Sequence, residues 1–185
     1  MNSYASQYPA AVAFDPAYTQ FFERFYATSD TPEAHEDYVK YFTQDATLIM
    51  ASKKVVGPEG AWSFAFFIEP CDETSPPFRR SETLFPVPRA DSKLAEILSL
   101  RKAMWEKVSS RAHAPLKIFP FGPNANEVML YGTVKYGLKA GGESSKDWAA
   151  RAHLVKEDDG NVKMSFYQVY LVRHSASACM AISGL

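Results

Sequence analysis

Aromatic residues recur at helical spacing early in the chain: Tyr18, Phe21, Phe22, Phe25 and Tyr26 fall at i, i+3, i+4, i+7 and i+8, which defines one face of an α-helix. Asp15 suits the N-cap of this helix and Pro16 its first position. The polar break Thr28-Ser29-Asp30-Thr31-Pro32 ends it and caps a second, shorter helix that carries Tyr38, Tyr41 and Phe42 toward the core. Thr47 to Ala51 reads as a short strand, followed by turns at Lys53-Lys54 and Gly57-Pro58. Ser92 caps a third helix with Leu94, Ile97, Leu98, Arg101, Met104, Trp105 and Val108 on one stripe, ending near Ser110.

From Leu116 the period changes from helix to strand. Four strands are expected: Leu116 to Phe121, Glu127 to Lys139, Trp148 to Lys156, and Val162 to Val172. Turns separate them at Gly122-Pro123-Asn124-Ala125-Asn126, at Ala140-Gly141-Gly142 and at Glu157-Asp158-Asp159-Gly160-Asn161. Helices first and an antiparallel meander last indicate one α+β domain over residues 1–185, its helices packed on one sheet face. Residues 1–13 and 173–185 read as tails. Residues 61–91 stand apart, with an apolar cluster (Trp62, Phe64, Phe66, Phe67, Ile68) and then five prolines between Pro70 and Pro88. Proline removes donors and fixes φ, so this stretch should be loop, and a loop of that length is usually functional or mobile.

Composition narrows the function classes. The chain of 185 residues is 46% hydrophobic, and its 14% aromatic share suits either a packed core or an aromatic-walled pocket. Twenty basic and 21 acidic residues leave a net charge of −1 without long runs of either sign, so no nucleic-acid footprint is expected. No apolar stretch is long enough for a membrane span. The first residues lack a basic start, so no secretory signal is expected. Cys71 and Cys179 have neither metal nor disulfide-framework spacing, which points to a reducing, cytoplasmic compartment. The final Ser183-Gly184-Leu185 lacks the basic residue of a peroxisomal address. No glycine-rich phosphate loop follows a strand, and no His, Cys, Asp and Glu set has ligand spacing. Neither cofactor nor metal is expected.

Several runs together resemble a known group: Leu100-Arg101-Lys102-Ala103-Met104-Trp105, Ser110-Arg111-Ala112-His113, Leu130-Tyr131-Gly132-Thr133-Val134, Asp147-Trp148-Ala149-Ala150-Arg151-Ala152, and Met164 through Leu171. They resemble SnoaL-like proteins of filamentous fungi, within the nuclear-transport-factor-2-like superfamily. Scytalone dehydratase and polyketide cyclases are more distantly similar. The resemblance implies a cone-like α+β barrel, with N-terminal helices against a strongly curved antiparallel or mixed sheet around one cavity. It also implies a hydrophobic small-molecule ligand, cofactor-free acid–base catalysis (isomerase, cyclase or dehydratase) in secondary metabolism, and a homodimer formed through the sheet. The alternative is a non-catalytic ligand-binding or dimeric interaction protein of the same fold. One departure is clear: about 35 residues separate Gly57-Pro58-Glu59 from Glu96-Ile97-Leu98, where the group has almost none. The 61–91 insertion is either a lid over the cavity or a gene-model artefact.

The similarity to scytalone dehydratase places His113 at a catalytic histidine, Arg151, Gln168 and Tyr170 on the cavity side of the last two strands, and Tyr136 and Val134 on the cavity side of the long strand. A histidine suits proton transfer because its ordinary pKa lies near neutrality; the alternative is a histidine that tethers the helix–strand junction. Arg151 could hold a carboxylate or enolate oxygen, or pair with Glu23 or Asp37. Tyr136, Gln168 and Tyr170 could orient a substrate oxygen or simply fill the barrel. His153 stands beside Arg151 in the same alternation, facing inward with it or lying at the strand end near solvent. The dehydratase's second histidine corresponds to Leu138, its serine to Ala149 and its asparagine to Arg151, so scytalone itself is not the expected substrate. Asp147 is the nearest carboxylate to a strand interior and a poor base. The expected set is therefore His113 and Arg151 as catalytic groups, and Tyr136, His153, Gln168 and Tyr170 as substrate-binding groups.

Overall fold

The computed structural model describes residues 4–50, 53–54 and 90–171. The elements in order are α1 (Pro16–Asp30), α2 (His35–Val39), β1 (Phe42–Met50), β2 (Lys53–Lys54), α3 (Ala90–Met104), β3 (Val108–Pro120), β4 (Glu127–Leu138), β5 (Glu143–Lys156) and β6 (Val162–Leu171). The turn at Gly57-Pro58, the tail 173–185 and all of 61–91 except the residues that open α3 lie outside the described residues.

Helix α1 forms where its pattern predicts. Asp15 Oδ1 accepts from the Ala17 N–H at 2.8 Å, Pro16 occupies the first position, and Tyr18, Phe21, Phe22, Phe25 and Tyr26 are buried. Phe25 is the hub of the aromatic core, its ring 5.3–6.1 Å from those of Phe21, Tyr38, Tyr41, Phe42 and Tyr167. Edge-to-face pairs at these distances add to the burial of large apolar surface.

The sheet has the order β2-β1-β6-β5-β4-β3 and is open. Strand β1 runs parallel to β6, and every other neighbouring pair is antiparallel. Helices pack on the concave face, giving the α+β cone expected: Tyr26 lies 5.4 Å from Trp148, and Phe25 lies 5.4 Å from Tyr167. Among the described residues, no helix is long and apolar enough to cross a membrane.

Three differences from the sequence expectations bear on the site. Phe42 opens β1 rather than continuing α2, whose N-cap, Ala34, makes no side-chain bond. The polar atoms of the break serve tertiary contacts instead: Thr28 Oγ1 meets Tyr41 Oη at 3.0 Å, and Asp30 reaches β3. Ser92 lies inside α3, which begins at Ala90.

The second difference is the length of β3. It starts at Val108, so His113 sits within a strand and not at a helix–strand junction. Pro115 is tolerated because β3 is the last strand in the sheet and its register shifts between Pro115 and Lys117. Gln7 covers this edge: its N–H donates to the Leu116 carbonyl, and its carbonyl accepts from the Ile118 N–H.

The third difference is a bulge in β6. His153 pairs with Phe166 but Leu154 pairs with Met164, which leaves one residue extra. The extra residue reverses the facing. Val162 and Met164 are buried, and beyond the bulge Tyr167 and Val169 are buried in place of Phe166 and Gln168.

Candidate functional site

The interior site is built where the C-terminus of α1 meets β3. Asp30, the last residue of α1, accepts the His113 backbone N–H on Oδ2 at 2.7 Å, and its Oδ1 lies 2.5 Å from His113 Nδ1. Arg111 Nε stands 3.4 Å from the same Oδ1. The Asp30 and Arg111 side chains are 5% and 4% exposed and His113 14%, so the three form a buried cluster. A carboxylate on Nδ1 fixes that nitrogen as the protonated one, and no described residue hydrogen-bonds Nε2. Burial lowers the His113 pKa most, the Asp30 bond and charge raise it, and Arg111 and Arg101 lower it further. The imidazole is neutral at neutral pH.

Two arginines complete the polar layer. Arg101 donates to the carbonyls of Ser29 (2.6 Å), Thr31 (2.6 Å) and Thr28 (3.2 Å). Arg111 donates to the Ser29 carbonyl and, at 3.0 Å, to Ser29 Oγ. Cations are favourable at a helix C-terminus, where the last carbonyls lack intrahelical donors. Burial, and then Arg111, push Arg101 down to about 9, so it stays charged at neutral pH.

Beside the cluster lies a cavity of about 30 Å³, bounded in part by His113, Tyr26, Tyr136, Tyr167, Trp148 and Val134. That is space for roughly two waters. Tyr26 and Tyr167 share a hydrogen bond of 3.0 Å between their hydroxyls. Burial raises Tyr26 well above its ordinary value, raises Tyr167 as well, and pushes Tyr136 up to about 12, so all three phenols stay protonated. The His113 ring is 5.1 Å from Tyr26 and 5.9 Å from Trp148. Trp148 Nε1 is buried with no acceptor among the described residues. A separate open groove of about 650 Å³ lies between α1, α2, β1 and the β5–β6 turn. Its charges balance (Arg24, Lys40 and Lys163 against Glu36, Glu157 and Asp159), and the cluster around His113 does not border it.

Of the expected residues, the structure brings His113 and Tyr136 together on the cavity. It places Arg151, His153, Gln168 and Tyr170 on the opposite, outer face of the sheet, which corrects their expected orientation. On β5 the buried positions are Trp148, Ala150, Ala152 and Leu154, so Arg151 and His153 point outward. Gln168 pairs across from Arg151 on that outer face, and Tyr170 is exposed. Arg151 pairs with Glu127 (Nε to Oε1, 2.7 Å), not with Glu23 or Asp37, and its Nη2 donates to His153 Nε2 at 3.0 Å. Its guanidinium lies over the Phe166 ring at 5.3 Å. Sequence reasoning missed Asp30, Arg111, Tyr26, Trp148 and Tyr167. One signal was available for Asp30: a carboxylate at the end of a helix sits at the unfavourable end of the dipole and needs compensation. Among the described residues, no group of three or more His, Cys, Asp or Glu could hold a metal.

No protein-family model matches the sequence, and no curated protein does. Solved structures do match. A candidate aromatic ring hydroxylase from Novosphingobium aromaticivorans aligns with TM-score 0.59 and 13% identity over 85% of this chain and 88% of that one. A candidate scytalone dehydratase from the same organism aligns at 0.58 and 10% over 85% and 83%. Nuclear transport factor 2 from Cryptosporidium parvum aligns at 0.52 and 12% over 88% and 100%. The chain thus has the nuclear-transport-factor-2-like fold. Identities this low attach no activity to it.

Proposed function

We propose that this protein is a cofactor-independent enzyme that moves a proton on a small, largely apolar molecule bearing a carbonyl or hydroxyl group. The observation that carries this reading is the 2.5 Å contact between Asp30 Oδ1 and His113 Nδ1 beside an aromatic cavity. A neutral imidazole held on Nδ1 offers Nε2 as base and then as acid. The protonated phenol of Tyr136, and that one of Tyr26 and Tyr167 which accepts in their shared hydrogen bond, are donors for an oxygen on which negative charge develops. Isomerisation, cyclisation and dehydration all need this pair of services. The substrate class is a polyketide, terpenoid or alkaloid intermediate of fungal secondary metabolism, a choice supported by the sequence resemblance. The two widely spaced cysteines support a reducing, cytoplasmic setting.

The test is proton exchange in D2O at the acidic carbons of a panel of cyclic enones and β-diketones, followed by NMR. Asp30→Asn and His113→Gln should each lower protein-dependent exchange by about 100-fold or more. Equal exchange by wild type and both variants sinks the reading.

A second reading, a non-catalytic small-ligand-binding or dimeric interaction protein, is favoured by the size of the cavity. About 30 Å³ suits water and not a polycyclic substrate, and in that case Asp30 tethers β3 to α1. Ligand binding without exchange would establish it. In either reading the chain is proposed to pair with a second copy through its outer sheet face. Exposed Phe119, Met129, Tyr131 and Tyr170 stand there, with Phe119 and Tyr131 stacked at 6.1 Å. Light scattering should report a dimer that Tyr131→Glu converts to monomer, and a monomeric wild type rejects the pairing.

A further inference from the structure

Asp30 occupies a position that should repel it. It ends α1, where the helix dipole is negative, and it is buried, which adds a desolvation cost. Two guanidinium groups reverse the local field, and they divide the work. Among the described residues, Arg101 donates only to backbone carbonyls at this helix end. Arg111 donates to the Ser29 carbonyl and hydroxyl and also places Nε 3.4 Å from the Asp30 oxygen that meets His113. Both stack on the Trp105 ring, at 5.0 and 4.9 Å, so Arg111 has no free rotation away from Asp30.

We propose that Arg111 is the positioning residue of this site: its guanidinium, held between Ser29 and Trp105, fixes the Asp30 carboxylate on His113 Nδ1 so that Nε2 alone exchanges protons with a ligand. A planar guanidinium can hydrogen-bond Ser29 through one nitrogen while its Nε keeps the positive charge 3.4 Å from Asp30 without a hydrogen bond of its own, which a lysine ammonium at the end of a flexible stem cannot do in the same geometry. The groups that face His113 are Asp30 and Tyr26 from α1, Arg101 from α3, Arg111 from β3, Tyr136 from β4 and Tyr167 from β6. Asp30 favours a protonated imidazole and the two arginines oppose it. Arg111 therefore acts on His113 twice, by orienting its partner and by its own charge.

The inference rests on the Asp30–His113 reading of the site, but its readout needs no substrate, so loss of the clamp and absence of turnover are seen separately. NMR on the full-length, 15N-labelled chain would follow the His113 titration and the downfield Nδ1–H resonance of the bond to Asp30. In Arg111→Met, the downfield resonance should disappear through exchange with water as Asp30 is freed from Nδ1, and the midpoint should move, since loss of the Asp30 contact lowers it and loss of the cation raises it. In Arg111→Lys, which keeps the charge but not the fork, the midpoint should stay near that of wild type while the resonance moves upfield. A residue that only packs would change the thermal midpoint and leave both signals in place. An intact resonance in folded Arg111→Met overturns the proposal. Should that variant not fold, an unchanged resonance in Arg111→Lys overturns it instead.

Discussion

Replacing Asp30 with Asn removes one charge and almost no volume, and the structure gives the expected cost. Asp30 accepts from the His113 backbone at 2.7 Å, meets His113 Nδ1 at 2.5 Å and faces Arg111 Nε at 3.4 Å, with its side chain 5% exposed. Removing one member of a buried ion pair costs about 3–5 kcal/mol, because the remaining charge stays buried without its partner. The Asn oxygen can still accept the His113 N–H, which recovers about 1 kcal/mol. Arg111 also keeps its bonds to Ser29. The expected loss is therefore about 2–4 kcal/mol. Urea unfolding followed by circular dichroism would measure it, with the denaturant slope unchanged if only the native contact is lost. Because Asp30 raises the His113 pKa, the imidazole of the variant should titrate at lower pH than in wild type. The exposed pair Lys40–Asp37 is the control, and Asp37→Asn should change stability little. A loss below about 1 kcal/mol together with an unmoved His113 titration would refute the buried-pair account.

Three further outcomes follow from the same geometry. Burial lowers the His113 pKa from its ordinary 6.5, so between the lowered value and 6.5 the unfolded chain binds a proton that the native one does not. His113 thus contributes stability that is fully present above pH 6.5 and lost as pH falls through that window; unfolding measured from pH 7 downward should show this slope flattened in His113→Gln. A Cβ on Gly132 would stand 2.3 Å from the Ala114 carbonyl oxygen and 2.9 Å from Trp148 Cζ2, so Gly132→Ala should cost about 1–3 kcal/mol in urea unfolding and shift tryptophan fluorescence, and an isostable variant contradicts the packing. Tyr167→Phe leaves the buried Tyr26 hydroxyl without its 3.0 Å partner, for a loss of about 1–2 kcal/mol; no loss in thermal or urea midpoint would mean that another group satisfies it.

Much of the architecture is present in local patterns. Helix α1 needs only its cap and its aromatic stripe, which no tertiary partner has to supply, and the turns at Gly141-Gly142 and Gly160 follow from glycines with positive φ. The helix-then-meander order likewise dictates an α+β layer. His113 and Tyr136 were placed beside the cavity by the resemblance, and His113 was placed at a helix–strand junction, whereas it lies inside β3.

What tertiary structure alone decided is which side of each strand is inside. Alternation makes two faces but does not say which is buried, and for β5 that choice fell to Trp148, Ala150, Ala152 and Leu154, sending Arg151 and His153 outward. In β6, one extra residue near Ser165 inverts the pattern, so Gln168 and Tyr170 leave the cavity and Tyr167 and Val169 enter it. A bulge is a property of the pairing between two strands and has no signature in either one. The dyad has the same origin. Asp30 and His113 are 83 positions apart, and only the seating of α1 against the edge strand puts the carboxylate on the imidazole. A sequence determines which groups are available and where local structure starts and stops; long-range packing decides which of them share a cavity, because burial depends on neighbours that no local period encodes.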